Sequence, residues 1–158
     1  QKGFVEKIRR DIAPGVVLSY TRVEPPVYPD TFPGKVVIDC GYGLDDFDKE
    51  KFDNIRLNDN VIDGGTQLFF AVYKRDYIGI DGETFPKFRE DDDIHLRYKL
   101  GGYLHKVSSA CVYHFGSKTS RVGHYQAVEN YSHNQFIKKW GLLENGQITK
   151  RNPMRILT

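Results

Sequence analysis

The chain alternates short apolar runs with polar, glycine-rich or proline-rich stretches. Over residues 3–11, Phe4, Val5 and Ile8 share one side of a helix. Pro14-Gly15 stops it. Residues 15–23 (GVVLSYTRV) are apolar and β-branched, which predicts a strand. Pro25, Pro26, Pro29 and Pro33 then stiffen an extended loop over residues 24–34. Residues 35–40 (KVVIDC) read as a second strand. An acidic first turn followed by Phe47 and Phe52 among charges predicts a helix over residues 45–55. Residues 66–73 (TQLFFAVY) form a continuous apolar run, the pattern of a buried strand. A further strand is expected over residues 103–114. A helix is expected over residues 126–140, with Val128, Tyr131 and Phe136 among polar residues. Beyond Gly141 periodicity fades, so one domain over residues 1–141 and a tail over 142–158 are expected.

Residues 90–100 (EDDDIHLRYKL) carry two opposed patterns. Ile94, Leu96, Tyr98 and Leu100 alternate as in a strand. Glu90 to Asp93 would sit well at the positive end of a helix, with Gly101 as its stop. Periodicity leaves both readings open.

Composition narrows the class. The 158 residues, 39% hydrophobic and 13% aromatic, suffice for one domain with a real core. The 23 basic and 21 acidic residues leave a net charge of +2, which argues against a nucleic-acid partner. Cys40 and Cys111 lack metal or disulfide-framework spacing and read as buried thiols. No apolar run approaches the ~20 residues of a membrane span and no signal peptide is visible, so a cytoplasmic location is expected.

Four features could carry chemistry. Glu90, Asp91, Asp92 and Asp93 repel one another, which raises some of their pKa values; such a run binds a cation, supplies a base or caps a helix. His114 ends an apolar strand, and a neutral imidazole there suits one position on Mn²⁺ or Zn²⁺. Gly64-Gly65 permits either a tight turn or close approach to a ligand. Trp140, beside Lys138 and Lys139, either anchors the last helix or stacks on a sugar. His95, His105, His124 and His133 show no metal-ligand spacing to one another, and no nucleophile-elbow or phosphate-loop motif occurs.

The order of these features carries a resemblance. Gly64-Gly65 and an apolar run lead to Lys74-Arg75-Asp76, Ile80-Asp81-Gly82 and Phe85. Glu90-Asp91-Asp92-Asp93, Leu96-Arg97, Gly101-Gly102-Tyr103 and Val112-Tyr113-His114 follow. The series resembles the C-terminal half of family 2 glycosyltransferases, with Arg22-Val23-Glu24-Pro25-Pro26, Asn134, Phe136 and Lys139-Trp140-Gly141 adding to it. The resemblance covers residues 15–141. It implies the α/β, Rossmann-like GT-A fold, a mixed sheet flanked by helices, with a helix at 91–100. It also implies inverting transfer from a nucleotide-sugar donor to an acceptor hydroxyl, dependent on Mn²⁺ or Mg²⁺. In that reading Glu90-Asp91 is the catalytic motif, with Asp91 the general base. Asp93 orients the site or caps the helix, His114 is a metal ligand, Gly64 and Gly65 line the donor pocket, and Trp140 serves the acceptor side.

One part of the family's pattern has no counterpart. Asp46-Phe47-Asp48 and Asp91-Asp92-Asp93 spell its D-x-D metal motif, yet neither follows a buried strand at the required place. The chain is therefore expected to be a fragment, opening on Gln1, with an incomplete active site. Its sheet edge is expected to pair with a missing N-terminal half or with a second copy. Two rival readings stand beside this one: a non-catalytic glycan- or protein-binding module using an aromatic cleft, and a metal-dependent hydrolase built on Asp91, Asp93, His95 and His114.

Overall fold

The computed structural model describes residues 2–27, 29, 31–65, 69–116 and 126–141. The expected tail at 142–158, residues 66–68 and His124 lie outside them. The chain is a mixed α/β protein that divides into two compact units. One holds the described residues of 1–76 and 104–123, the other those of 77–103 and 124–158.

The first unit is built on a mixed sheet. Its central strand, β1 (Val16–Glu24), is flanked by β2 (Lys35–Val37) and β5 (Leu104–Tyr113), both parallel to it. The short strands β3 (Ile62–Asp63) and β4 (Phe70–Ala71) pair antiparallel with β5 and β1. β1 is buried at nearly every position, as expected of a strand covered on both faces. Helix α1 (Phe4–Asp11) lies against β5, and the Phe4 ring meets Tyr20 edge-on at 5.0 Å. The pairing of β1 and β5 shifts register between Tyr20 and Thr21. Serine hydroxyls sit at this irregularity: Thr21 Oγ1 donates to the Ser108 carbonyl, and Ser108 Oγ accepts from the Ala110 amide. Ser108 Oγ also donates to Asp11, and Ser109 Oγ to Asp59, which fastens α1 and the 59 loop to β5.

The second unit holds α3 (Glu90–Leu100) and α4 (Gln126–Trp140). The structure thus decides the open case at 90–100 for a helix. Its buried residues, Asp93, Ile94, His95 and Tyr98, do not follow strand alternation. Phe85, Phe136 and Trp140 form the core of this unit, with Leu96 and Leu100 packed against them.

Several expected elements are shorter than the sequence predicts. Within the strand expected at 66–73, the described residues 69–73 hold only the two-residue strand Phe70–Ala71; Phe69 and Tyr73 are exposed, and Phe69 has φ 70. The chain then turns into a 3₁₀ helix at Lys74–Asp76. Helix α2 spans Lys49–Asp53 rather than 45–55, because Asp46 accepts from the amides of Tyr42 and Gly43 in a loop. Asp48 caps the helix by accepting from the Lys51 amide at 2.8 Å. β2 stops at Val37, where Asp39 folds back onto the Gly41 amide. β3 has no apolar run to announce it, and both its residues are exposed. Among the described residues, no helix is long and apolar enough to cross a membrane.

Candidate functional site

The four acidic residues at the start of α3 have four different fates. Asp93 is wholly buried. Its Oδ2 accepts from Arg97 Nε at 2.9 Å, and its Oδ1 accepts from Trp140 Nε1 at 3.0 Å and pairs with Lys139 Nζ at 2.8 Å. A buried carboxylate needs such partners to offset its desolvation. Asp92 pairs with Arg89 Nη1 at 2.8 Å on the surface. Asp91 is half-buried, and burial pushes its carboxyl above the ordinary aspartate value, with the neighbouring Asp92 adding to the effect. Glu90 is also raised, by burial first and then by Asp91 and Asp92. Its Oε2 is buried and has no hydrogen-bond partner among the described residues.

Lys139 is the second centre of this unit. Its Nζ donates to Asp81 Oδ2 at 2.8 Å and reaches Asp93 at the same distance, over the rings of Phe85 and Trp140. Burial works against ionisation of Asp81, but the bonds from Lys139 and Thr84 prevail and bring its pKa to about 2. Arg97 also donates to the Gly79 carbonyl at 2.7 Å, which ties the 78–79 loop to α3. Trp140 is 1% exposed and packs with Phe136 and Phe85, so it holds the position of an anchor in the second unit's core.

Gly64, Gly65 and His114 belong to the sheet unit. The Gly64 amide donates to the His105 carbonyl, and His105 Nδ1 lies 3.0 Å from the Gly65 carbonyl. Gly65 has φ 88, and a Cβ there would stand 2.7 Å from Val107 Cγ2 and 3.2 Å from Ser19. Glycine is thus required by the close approach of this loop to β1 and β5.

His114 directly follows β5, and Glu24 is the last residue of β1. Both therefore stand at the carboxyl end of parallel strands, where open α/β sheets bind ligands. His114 Nδ1 meets Glu24 Oε1 at 2.5 Å. The same carboxylate faces Arg22 Nε at 2.8 Å and Lys35 Nζ at 3.4 Å. Phe32 lies under the Arg22 guanidinium, and Phe69 lies edge-on to the His114 ring. His114 Nε2 has no hydrogen-bond partner among the described residues. No group of three or more His, Cys, Asp or Glu side chains among those residues could hold a metal ion. The strand-end site thus offers one imidazole nitrogen, beside the Arg22 and Lys35 side chains, and does not by itself make a metal centre.

The site residues expected from sequence therefore fall into two groups. Glu90, Asp91, Asp93 and Trp140 share the helical unit, and Asp93 and Trp140 are in direct contact. Gly64, Gly65 and His114 share the sheet unit. Sequence reasoning gave no role to Glu24 or Lys139. The available signal was a charged residue closing an otherwise apolar strand, and a lysine beside the only tryptophan. A separate cavity of about 470 Å³ opens in the sheet unit, walled by Phe4, Leu44, Phe47, Phe52, Tyr113 and Phe115.

Comparison of the chain with protein-family models, with curated proteins and with solved structures gives no match.

Proposed function

We propose that the chain carries the acceptor-side catalytic residues of a metal-dependent, inverting glycosyltransferase of the GT-A type. The observation that carries this reading is Asp91. With Glu90 it is half-buried, raised in pKa and without an ion pair, whereas Asp92 and Asp93 are paired, and of the two the resemblance assigns Asp91 as the base. A base works best when its pKa is moved toward the operating pH. Asp91 would take the proton of the acceptor hydroxyl as that oxygen attacks the anomeric carbon of the donor. The bond to the nucleoside diphosphate breaks on the opposite face, which inverts the centre. Burial and the neighbouring Asp92 carboxylate favour proton uptake by Asp91. In that reading His114 would supply one ligand to Mn²⁺ or Mg²⁺, the others coming from outside the described residues, and the metal would offset charge on the departing diphosphate. The test is nucleotide-sugar transfer by the full-length protein with Asp91→Asn. Loss of transfer by at least about a hundredfold, with the fold intact, is expected; full activity would remove the base.

The apolar cavity favours a second reading, a non-catalytic module that takes a glycan face or a partner's side chain against Phe47 and Phe115. Glycan binding that survives both EDTA and Asp91→Asn would favour it.

A further inference from the structure

We propose that the apolar cavity of the sheet unit is a preformed site for the hydrocarbon chain of a free, uncharged small molecule. Nothing in this depends on the proposed transferase; it chooses an occupant that the module reading leaves open.

The walls set the chemistry. The cavity measures about 470 Å³, within the range of small-molecule sites. No charged side chain among the described residues lines it. Its one hydroxyl, Tyr113 Oη, is already committed: it accepts from the Cys40 amide at 2.9 Å and donates to the Gly41 carbonyl at 2.8 Å. Burial pushes the pKa of the Cys111 thiol up, so that wall stays neutral. A sugar ring would bring hydroxyls to side chains that cannot pair with them, and each unmet hydroxyl costs free energy. A hydrocarbon chain brings none and gains with every methylene it buries.

The walls hold one another in place. Phe115 meets Phe47 and Tyr113 edge-on at 5.5 and 5.2 Å, and Phe52 meets Tyr113 edge-on at 5.7 Å. The Asp46 carboxylate accepts from the Tyr42 and Gly43 amides, and the Asp48 amide donates to the Cys40 carbonyl at 2.8 Å. Leu44 and Phe47 are thus carried on a fixed loop. Walls that need no ordering on binding cost a ligand less conformational entropy.

Leu44 marks the mouth: it is 82% exposed, whereas Phe52 and Cys111 are buried. Its loop, residues 41–48, exposes Asp45, Asp46 and Asp48 and carries no basic residue. That charge disfavours an anionic bilayer at the mouth, so the chain belongs to a free molecule rather than to a membrane lipid.

The experiment is isothermal titration calorimetry of the full chain with n-hexanol, n-octanol and n-decanol. Saturable binding with a negative heat-capacity change is expected, the affinity rising about fourfold per methylene until the alcohol outgrows the cavity. Leu44→Asp sets a charge at the mouth and is expected to weaken decanol binding about tenfold or more. The exposure of Leu44 leaves the fold intact in that variant, which circular dichroism checks. Leu104→Asp, also exposed and not among the walls, is expected to bind as the native chain does. Absence of saturable binding, or equal losses in the two variants, overturns the inference. Methyl β-glucoside binding more tightly than octanol, and lost in Leu44→Asp, would give the cavity to a glycan and overturn it as well. So would Leu44-dependent binding to phosphatidylglycerol vesicles, which would assign the cavity to a bilayer. Sugar transfer plays no part in the readout, so failure here leaves the transferase reading standing.

Discussion

The indole Nε1–H of Trp140 donates to Oδ1 of Asp93 at 3.0 Å, joining the last turn of α4 to the first turn of α3. The acidic run at 90–93 is therefore not one cluster with one role. Its last member serves the core of the helical unit, and its second is half-buried with no ion pair.

Asp93→Ala takes the shared carboxylate from Arg97 and Lys139, which keep Gly79 and Asp81 as partners, and removes the acceptor of the indole. It is expected to cost about 3 kcal/mol, near the low end for breaking a buried pair, because both cations keep some solvent contact. Asp92→Ala, which breaks only an exposed pair with Arg89, is expected to cost under about 1 kcal/mol. Urea unfolding of the two variants checks this, and equal losses would contradict the assignment of Asp93 as the hub.

Asp81 gives the helical unit an acid-sensitive contact. Its pKa falls from 3.8 to about 2 in the folded protein. A depressed carboxyl adds stability above its unfolded pKa and loses it as pH falls through the folded one. The loss between about pH 4 and pH 2 should be about 2 kcal/mol, from just under two pKa steps at 1.36 kcal/mol each. Asp81→Asn is expected to flatten that part of the stability curve, measured by denaturant unfolding at each pH.

Asp91 should behave in the opposite sense. Its folded pKa is raised, so its favourable contribution is complete below the ordinary carboxylate value and is lost as pH rises through the folded one. Asp91→Asn is therefore expected to raise the melting temperature near pH 7 relative to the native chain, with no gain in acid. A variant that abolishes transfer yet is more stable at neutral pH is the signature of a group held for function. A destabilised Asp91→Asn at pH 7 would contradict it.

Gly65→Ala puts a methyl 2.7 Å from Val107 Cγ2 at a left-handed φ. Crowding and backbone strain together should cost about 3 kcal/mol. Gly82→Ala meets nothing within 4 Å and is the control, expected to be close to neutral. Thermal melts of both decide whether Gly65 is set by packing.

The apolar β-branched run at 15–23 and the mixed pattern at 126–140 determined β1 and α4 almost to the residue, because covered strands and long helices write their period into the sequence. The sequence also marked His114 as a strand-end residue and the 90–93 run as electrostatically strained. Tertiary structure decided what each member of that run does. Asp91 and Asp93 are the same amino acid two positions apart, and a helix turns them to different surroundings, Asp93 toward Trp140, Lys139 and Arg97 and Asp91 to a half-buried place with no ion pair. It also decided that residues 69–73 hold only a two-residue strand, preceded by Phe69 in a left-handed backbone no propensity foretells. Glu24 and His114, 90 positions apart, meet only because β1 and β5 lie side by side and parallel with their carboxyl ends together. Sequence sets which groups are available; register and burial choose the partner, because a charge out of water is tolerable only where the fold supplies its counterpart.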